Sequence, residues 1–529
     1  MHAAWVFYFR STQARKILEA ARLYRLTGEK KYAEWVASSL DFYTDNFLKW
    51  PLDSPEHRGH IGESRLMGQA LDEATNLISY VQAARHLGDY VSPERKRHWS
   101  EDFFKPEGYL LQQSRQTIHN IGCWQRAAAA EVALYCQDQA LWKQAVDGPN
   151  GLHDQLARGV TSDYLWREQS LHYNNFVVDA LGAFFIDAQM AGRGAELKAD
   201  METVENVMLT PAAMRFPTGQ LPNPADGGRA ERAPAPAQWA RMAPLFPTKA
   251  GLYTLAHEKS WAALLDPPDP ALVPAQPPEL PPVISRSFES SRMAVLRQGP
   301  WQVYFHYGQI TNTHVQAEAL NFEAFYQDTN VTQDAGSVGY GSQMFKDYYV
   351  TGVCHNVPLV DGQGQEGWNR GQLDGFTAAS VSASQPKYRP NARASRRMNV
   401  SGDRLEDAVQ VTTTDGKPHD LGFLLHLMGQ VEGLPDSFVA IPDPAQIQPV
   451  PGFKYWKDAT RATFRDRASF NVKFDKVTLR VTFDLPGEFT LWHASAPDLL
   501  PRRRDVFYLQ RQGTDATLKT SISPAKPNG

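Results

Sequence analysis

In the first half of the chain the apolar positions recur at spacings of three and four. "STQARKILEAARLYRLTGEKKYAEWVASSLDFYTDNF" carries that pattern twice around a break at "TGEKK", which predicts two helices joined by a short turn. "LMGQALDEATNLISYVQAARHLG", "IGCWQRAAAAEVALYCQ" and "SLHYNNFVVDALGAFFIDAQMAG" continue it as long helices with short or irregular links. Helical pairs of this kind bury their apolar faces only against their neighbours, so the run closes most economically as a toroid of hairpins. The expectation is an incomplete α/α toroid over residues 1–264.

A proline-dense stretch at 265–285 ("LLDPPDPALVPAQPPELPPVIS") suits neither a helix nor a central strand and reads as a linker. Beyond it the period changes to two. "MAVLRQGPWQVYFHYG", "ALNFEAFYQ", "LEDAVQVTTTDG", "VTLRVTFDLPGEFTLWHA" and "TDATLKTSIS" predict an antiparallel β-sandwich over 286–529. Alternation extends through "NTHVQAEALNFEAFYQDTNVTQDAG" (312–336), which would set His314, Gln316 and Glu318 on one face of a strand. That costs stability unless the face meets something polar, which favours a site.

Composition narrows the classes without naming a reaction. With 529 residues, 42% apolar and 21% charged, the chain is expected to fold throughout as two large domains. A net charge of −4 gives no overall field for nucleic acid or an anionic membrane. Cys123, Cys136 and Cys354 are too far apart for a disulfide framework or a thiolate zinc cluster. No run of about eighteen apolar residues spans a bilayer, and "MHAAWVFYFR" goes into helical periodicity without the regions of a secretory signal.

Three stretches carry candidate chemistry. "TIHNIGCWQRAAAA" places His119, Asn120, Trp124 and Gln125 at a helix start, where the plain alternative is an N-cap by Asn120 with packed aromatics. "SDYLWREQSLHYNNF" gathers Asp163, Trp166, Glu168, His172 and Tyr173 before another helix, with an interhelical polar network as its alternative. The third is 312–336, continued by "SVGYGSQMFKDYYVTGVCHNVPLVDGQGQ".

Together these stretches resemble the heparinase II/III-like polysaccharide lyases, which join an α/α toroid to a β-sandwich with the active site between. The family's sandwich motif, close to HxHxDxL, a D-x-G turn, tyrosines and an HN pair before a V-D-G turn, is matched in order. Its counterparts are His314, Gln316, Glu318, Leu320, Asp334, Gly336, Tyr340, Tyr348, Tyr349, His355 and Asn356. Asn120 precedes Tyr173 by 173 − 120 = 53 residues, a spacing similar to the family's, and "FPTGQLPNPADGGRAER" resembles its loop after the toroid, with Asp226 in the acidic position.

The resemblance implies β-elimination from an acidic, uronate-containing polysaccharide such as an alginate-like polyuronate or a glycosaminoglycan. Removing the C5 proton requires neutralising the uronate carboxylate, a role it gives to Asn120 with His119 or Gln125 assisting. Tyr173 is expected as acid, base or both, provided donors pull its pKa well below about 10, with His314 as the base on one face of the sugar or as the group that polarises Tyr173. One of Tyr340, Tyr348 and Tyr349, with Tyr349 preferred, completes the set. Substrate contacts are expected from His119, Trp124, Gln125, Trp166, Glu168, His172, Gln316 and Tyr340, with positive charge from Arg58, His60, Arg65, Arg115, Arg126 and Arg167.

Some relatives hold zinc at positions matching Gln316, Asp334 and His355, but glutamine is a poor zinc ligand, so no cofactor is required and a structural ion is doubtful. The resemblance also implies a periplasmic or secreted location, with no nucleic-acid or membrane partner. Three rivals stand beside the lyase: a C5-epimerase, a glycoside hydrolase using Asp163 and Glu168, and a non-catalytic polysaccharide binder.

Overall fold

The computed structural model describes residues 2–52 and 64–525; Arg58 and His60 lie outside the described residues. The chain packs as two units. A helical unit takes residues up to Val160, Asn175–Met208 and Ala235–Glu279, and a sheet unit takes Thr161–Asn174, Leu209–Pro234 and everything from Leu280.

In the helical unit the three-and-four periodicity becomes helices His2–Thr27, Lys30–Phe47, Ala70–Leu87 and Asn120–Cys136. Ala33, Val36, Ala37, Leu40, Thr44 and Phe47 are the buried stripe of the second of these, the pattern expected of a helix with one covered face. The first helix packs on the second and third, and the third packs on the fourth. Among the described residues no helix is long and apolar enough to cross a membrane.

The sheet unit is a β-sandwich. Strands β1 (Arg286–Phe288), β2 (Met293–Gln298), β3 (Trp301–His306), β4 (Asn321–Tyr326) and β5 (Thr329–Thr332) form an antiparallel meander. The second sheet has 12 strands, with Thr478–Pro497 flanked by Arg503–Gly513, Asp515–Pro524 and Lys457–Lys473. Leu296, Val303, Phe305 and Phe322 from the meander meet Leu425, Phe483, Phe507 and Leu509 from the larger sheet in one continuous core.

The outer face of the meander is apolar too, which is why its strands are buried on both sides. Met293, Val295, Tyr304 and Phe325 on that face are covered by Leu165, Leu171, Met214, Phe216 and Leu221, and Phe216 stacks on Phe325 with ring centroids 4.2 Å apart. The division at 264/286 is therefore corrected. Two segments from the helical half of the sequence, 161–174 and 209–234, belong with the sheet because they cover this face.

A second correction concerns 311–320, which is irregular loop rather than strand; β4 begins only at Asn321. His314 and Leu320 have φ of 59° and 70°, left-handed conformations that break the alternation.

One glycine fixes where the loops meet. Gly336 has φ +69°, and a Cβ on it would lie 2.0 Å from the Gly227 carbonyl oxygen and 2.4 Å from Asn223 Nδ2. Gly336→Ala is expected to lower the unfolding free energy by about 1 to 3 kcal/mol, since both strain and backbone overlap oppose it. Thermal or denaturant unfolding checks this; an unchanged midpoint would show that the two loops separate freely.

Candidate active site

The sheet unit brings Tyr173, Asp226, His314, Gln316 and Tyr340 into one hydrogen-bonded group, although they come from four separate stretches of chain. Tyr173 stands in the first turn of helix Leu171–Met190, and Tyr340 in a turn after β5. Their hydroxyl oxygens are 2.8 Å apart. Tyr340 donates to Asp226 Oδ2 at 3.0 Å, and His314 Nδ1 lies 3.1 Å from both Asp226 Oδ2 and the Tyr340 hydroxyl. The imidazole stacks on the Tyr173 ring at 3.7 Å between centroids.

Direction follows from which atoms carry hydrogen. A carboxylate only accepts, so Tyr340 gives its single proton to Asp226, and Nδ1 of His314 must carry a proton to do the same. In the neutral ring that leaves the lone pair on Nε2. With the Tyr340 hydrogen committed, Tyr173 donates to the Tyr340 oxygen. Burial pushes the Tyr173 phenol up to about 12; the hydrogen bond with Tyr340 works against this, and the charges of Asp226 and Glu168 add to it. This corrects the expectation of a lowered value: Tyr173 is held as a proton donor. Tyr340 is shifted up more strongly, by burial and the Asp226 charge.

The Asp226 loop is held from below by buried groups. Glu318 Oε1 accepts from Ala225 N at 2.8 Å, Glu323 Oε1 from Asn223 N at 2.7 Å, and Ser170 Oγ donates to the Asp226 carbonyl at 2.6 Å. Ala225 takes φ of 58°, so the loop needs these ties to keep its form. Arg229 Nε donates to Asp334 O at 2.6 Å, and the same guanidinium pairs with Asp498.

Several expected site residues fall elsewhere. Tyr349 is 0% exposed in the sandwich core and donates to Asp498 O at 2.5 Å, so it is structural; Tyr340, 51% exposed, is the tyrosine that joins the group. Trp166 is likewise fully buried, which rules out sugar stacking by its ring. Gln316 is 3% exposed, its Nε2 donating to Asp226 Oδ1 at 2.8 Å, so it supports a side chain instead of meeting substrate. Glu168 is buried, with Oε2 at 4.0 Å from His314 Nε2, and His172 is at the exposed rim, paired with Glu231 at 2.9 Å. Asp163 accepts from Ser290 Oγ at 2.5 Å and Ser291 N at 3.0 Å.

Within the helical unit, the cap of helix Asn120–Cys136 is His119, whose Nδ1 accepts from Ile121 N, and not Asn120. Asn120 is buried in the first turn. Gln125 is also buried and donates to Ser114 Oγ at 3.2 Å, while Trp124 packs on Phe176. Arg126 is no surface charge: it is buried and donates to the carbonyls of Leu111, Ser114, Arg115 and Asn150, pinning the loop before Asn120. Burial lowers its pKa to about 10. Gly122 admits that loop, since a Cβ there would come within 3.1 Å of the Thr117 carbonyl oxygen and 2.9 Å of Gln155 Nε2, which donates to that carbonyl. Arg65 donates to Trp50 O at 2.5 Å, and Arg115 and Arg167 are half-buried.

Donor atoms of Glu318, Asp334 and His355 lie within 4.8 Å of one another, the spacing a metal needs. Their hydrogen bonds do not suit zinc. His355 Nδ1 is 2.6 Å from Asp334 Oδ2 and its Nε2 is 3.1 Å from Tyr349 O, so both ring nitrogens are occupied as donors. Asp334 also accepts from Asn321 Nδ2 at 2.6 Å and Gly336 N at 2.7 Å. Burial would raise the Asp334 carboxyl, but the His355 charge and hydrogen bond bring it below its usual range; the reverse balance raises His355. These residues form a closed ion pair and leave no imidazole lone pair for a metal.

Comparison with known proteins agrees with this architecture. Residues 11–197 match the family model described as Alginate lyase, and residues 281–431 match Heparinase II/III-like, C-terminal. An alginate lyase of Stenotrophomonas maltophilia (strain K279a) is 27% identical over 135 residues, which are 25% of this chain and 18% of that protein. The match therefore spans less than a fifth of the relative's length. Among solved structures, heparinase III aligns with a TM-score of 0.67 at 15% identity, covering 97% of this chain and 76% of that one. A heparan sulfate lyase HepC mutant from Pedobacter heparinus gives 0.65 at 15%, covering 96% and 75%. The chain thus joins a segment that matches the Alginate lyase model to a segment that matches the Heparinase II/III-like, C-terminal model, on the fold shared with the heparinases.

Proposed function

We propose that the protein is a polysaccharide lyase that cleaves a uronate-containing chain by β-elimination. The observation that carries this is the hydrogen-bonded line from His314 through Tyr340 to Tyr173, a base and an acid joined by a phenol. The two family matches support the reaction class.

His314 Nε2 takes the C5 proton, and the imidazolium that forms is paired with Asp226 through Nδ1. The electron pair of the C5–H bond becomes the C4=C5 double bond as the C4–O4 bond breaks. Tyr173, kept protonated by its raised pKa, gives its proton to the departing O4. The site resets when Nε2 of the imidazolium releases the C5 proton to water and the Tyr173 phenolate takes a proton back from water, while Nδ1 keeps its hydrogen on Asp226 throughout. Neutralisation of the uronate carboxylate belongs to Asn120 on the family resemblance. The hydrolase rival is weakened because the Asp163 carboxylate is already taken by Ser290 and Ser291.

An alginate-type polyuronate is the first substrate to try, given the alginate lyase match and a sequence without a dense Lys/Arg cluster for sulfate. Purified protein is expected to raise ultraviolet absorbance on a panel of acidic polysaccharides, without nucleotide or organic cofactor. Saturated reducing ends would favour hydrolysis, and inverted uronates without cleavage an epimerase.

Removing either hydroxyl of the proton line, by Tyr173→Phe or Tyr340→Phe, is expected to cost at least about 100-fold in kcat with the fold intact. Tyr349→Phe should instead keep its rate and lose about 1 kcal/mol of stability, the worth of one buried hydrogen bond. Full activity in folded Tyr173→Phe would remove the acid from this mechanism.

Because no step runs through a metal, activity is expected to survive exhaustive chelation. Elemental analysis beside rates before and after chelator provides the check. Stoichiometric zinc whose loss abolishes turnover while the fold persists would require another reading of Asp334 and His355.

A further inference from the structure

We infer that Gln316 is a positioning residue that sets the tautomer of His314 through Asp226; the proposal deepens, and rests on, the elimination reading. Three donors converge on the Asp226 carboxylate. Tyr340 and His314 share Oδ2, while Gln316 Nε2 alone holds Oδ1 at 2.8 Å, reaching the Gly336 carbonyl at 3.4 Å. Without that amide the carboxylate can rotate about its Cβ–Cγ bond, and Oδ2 no longer has a fixed place between the phenol and the ring.

The orientation of the amide is itself determined by Asp226. Gln316 Oε1 is buried with no hydrogen-bond partner among the described residues, and turning the amide over would place that oxygen against the carboxylate. The side chain therefore leaves one acceptor unsatisfied to keep its NH2 on Asp226. A buried acceptor without a donor is a cost that packing alone does not explain.

The consequence reaches the reacting atom in two steps. A fixed Oδ2 demands hydrogen on His314 Nδ1, and hydrogen on Nδ1 frees Nε2. Loosening Asp226 lets the other tautomer, with its proton on Nε2, take a share of the population, and that form has no lone pair where the base is needed. Gln316 is buried and its amide donates to the carboxylate, so its removal should act on kcat and spare KM.

The test uses the full chain and variants Gln316→Met, which keeps the volume without the amide, and Gln316→His, which restores a ring N–H. Gln316→Met is expected to lose kcat by on the order of 10- to 100-fold with KM within about threefold, as when a reacting group is slightly misplaced. Gln316→His should recover part of the loss. In an Asp226→Asn background Gln316→Met should cost far less, since both act through one carboxylate. Equal losses in both backgrounds would overturn the proposal.

A second readout does not depend on turnover. Nitrogen-15 spectra of histidine-labelled protein, with the His314 signals found by His314→Gln, should show the Nδ1–H form in the parent and a mixture in Gln316→Met. The same tautomer in both would refute the role of Gln316 even if elimination is confirmed. Absence of unsaturated product from the parent would instead refute elimination and leave this spectroscopic result to decide the positioning.

Discussion

A carboxylate removed from water has to be supplied with donors, and at Asp226 two of the three donors are the groups of the proposed proton line. Tyr340 and His314 are held in place because they satisfy a buried charge, and their protons are placed by the same requirement. The arrangement resembles a catalytic triad in its logic: an acid that orders an imidazole without taking its proton. What differs is that a phenol shares the carboxylate with the imidazole, so acid and base stay in hydrogen-bond contact.

The Asp226 loop depends in turn on a deeper layer of acids. Glu318 and Glu323 each accept a backbone N–H from 221–226, and the Asp334 carbonyl takes Arg229. Burial, with the Asp334 charge beside it, pushes the Glu323 carboxyl well above its ordinary range, so it serves as a neutral acceptor. Asp334 is the ionised member because His355 stands against it. A raised Glu323 beside an Asp334 paired with His355 lets these two carboxyls share one interior without unmatched charge. Gly336 matters here for geometry alone, since only a missing Cβ lets the Asp334 turn approach Gly227.

Periodicity made the helices and most strands readable, because each has one face or two that must be covered. It misled at 311–320, where alternating residue types suggested a strand. The chain there turns through left-handed conformations at His314 and Leu320, and a two-residue pattern does not record φ. The domain division failed for a related reason. Leu165, Leu171, Met214 and Phe216 look like any apolar helical or loop residues, and nothing local tells that they cover the outer face of a sheet a hundred residues later. Among the tyrosines, sequence order offered Tyr340, Tyr348 and Tyr349 and favoured Tyr349, the wrong one. Burial separates them: Tyr348 and Tyr349 send their hydroxyls into backbone carbonyls of the core, and Tyr340 alone stays on a turn facing the acid. Asp226 was visible only as an acid in an Asn-Pro, Asp-Gly loop, since its partners come from residues 314, 316 and 340.

In the proposed elimination the raised pKa of Tyr173 divides the labour of the site. A phenol near 12 is a poor base at neutral pH, because almost none of it is ionised, but it is a proton donor that does not lose its proton before the bond breaks. Asp226 and Glu168 contribute to that rise, so the acids that make Tyr173 a donor include the one that draws the proton of His314 to Nδ1. The Asp226 charge therefore opposes ionisation of Tyr173 while its Oδ2 accepts from His314 Nδ1. Moving that charge, or cancelling it, would weaken both roles together, which is why the carboxylate is fastened at Oδ1 by a neutral amide that leaves its charge intact.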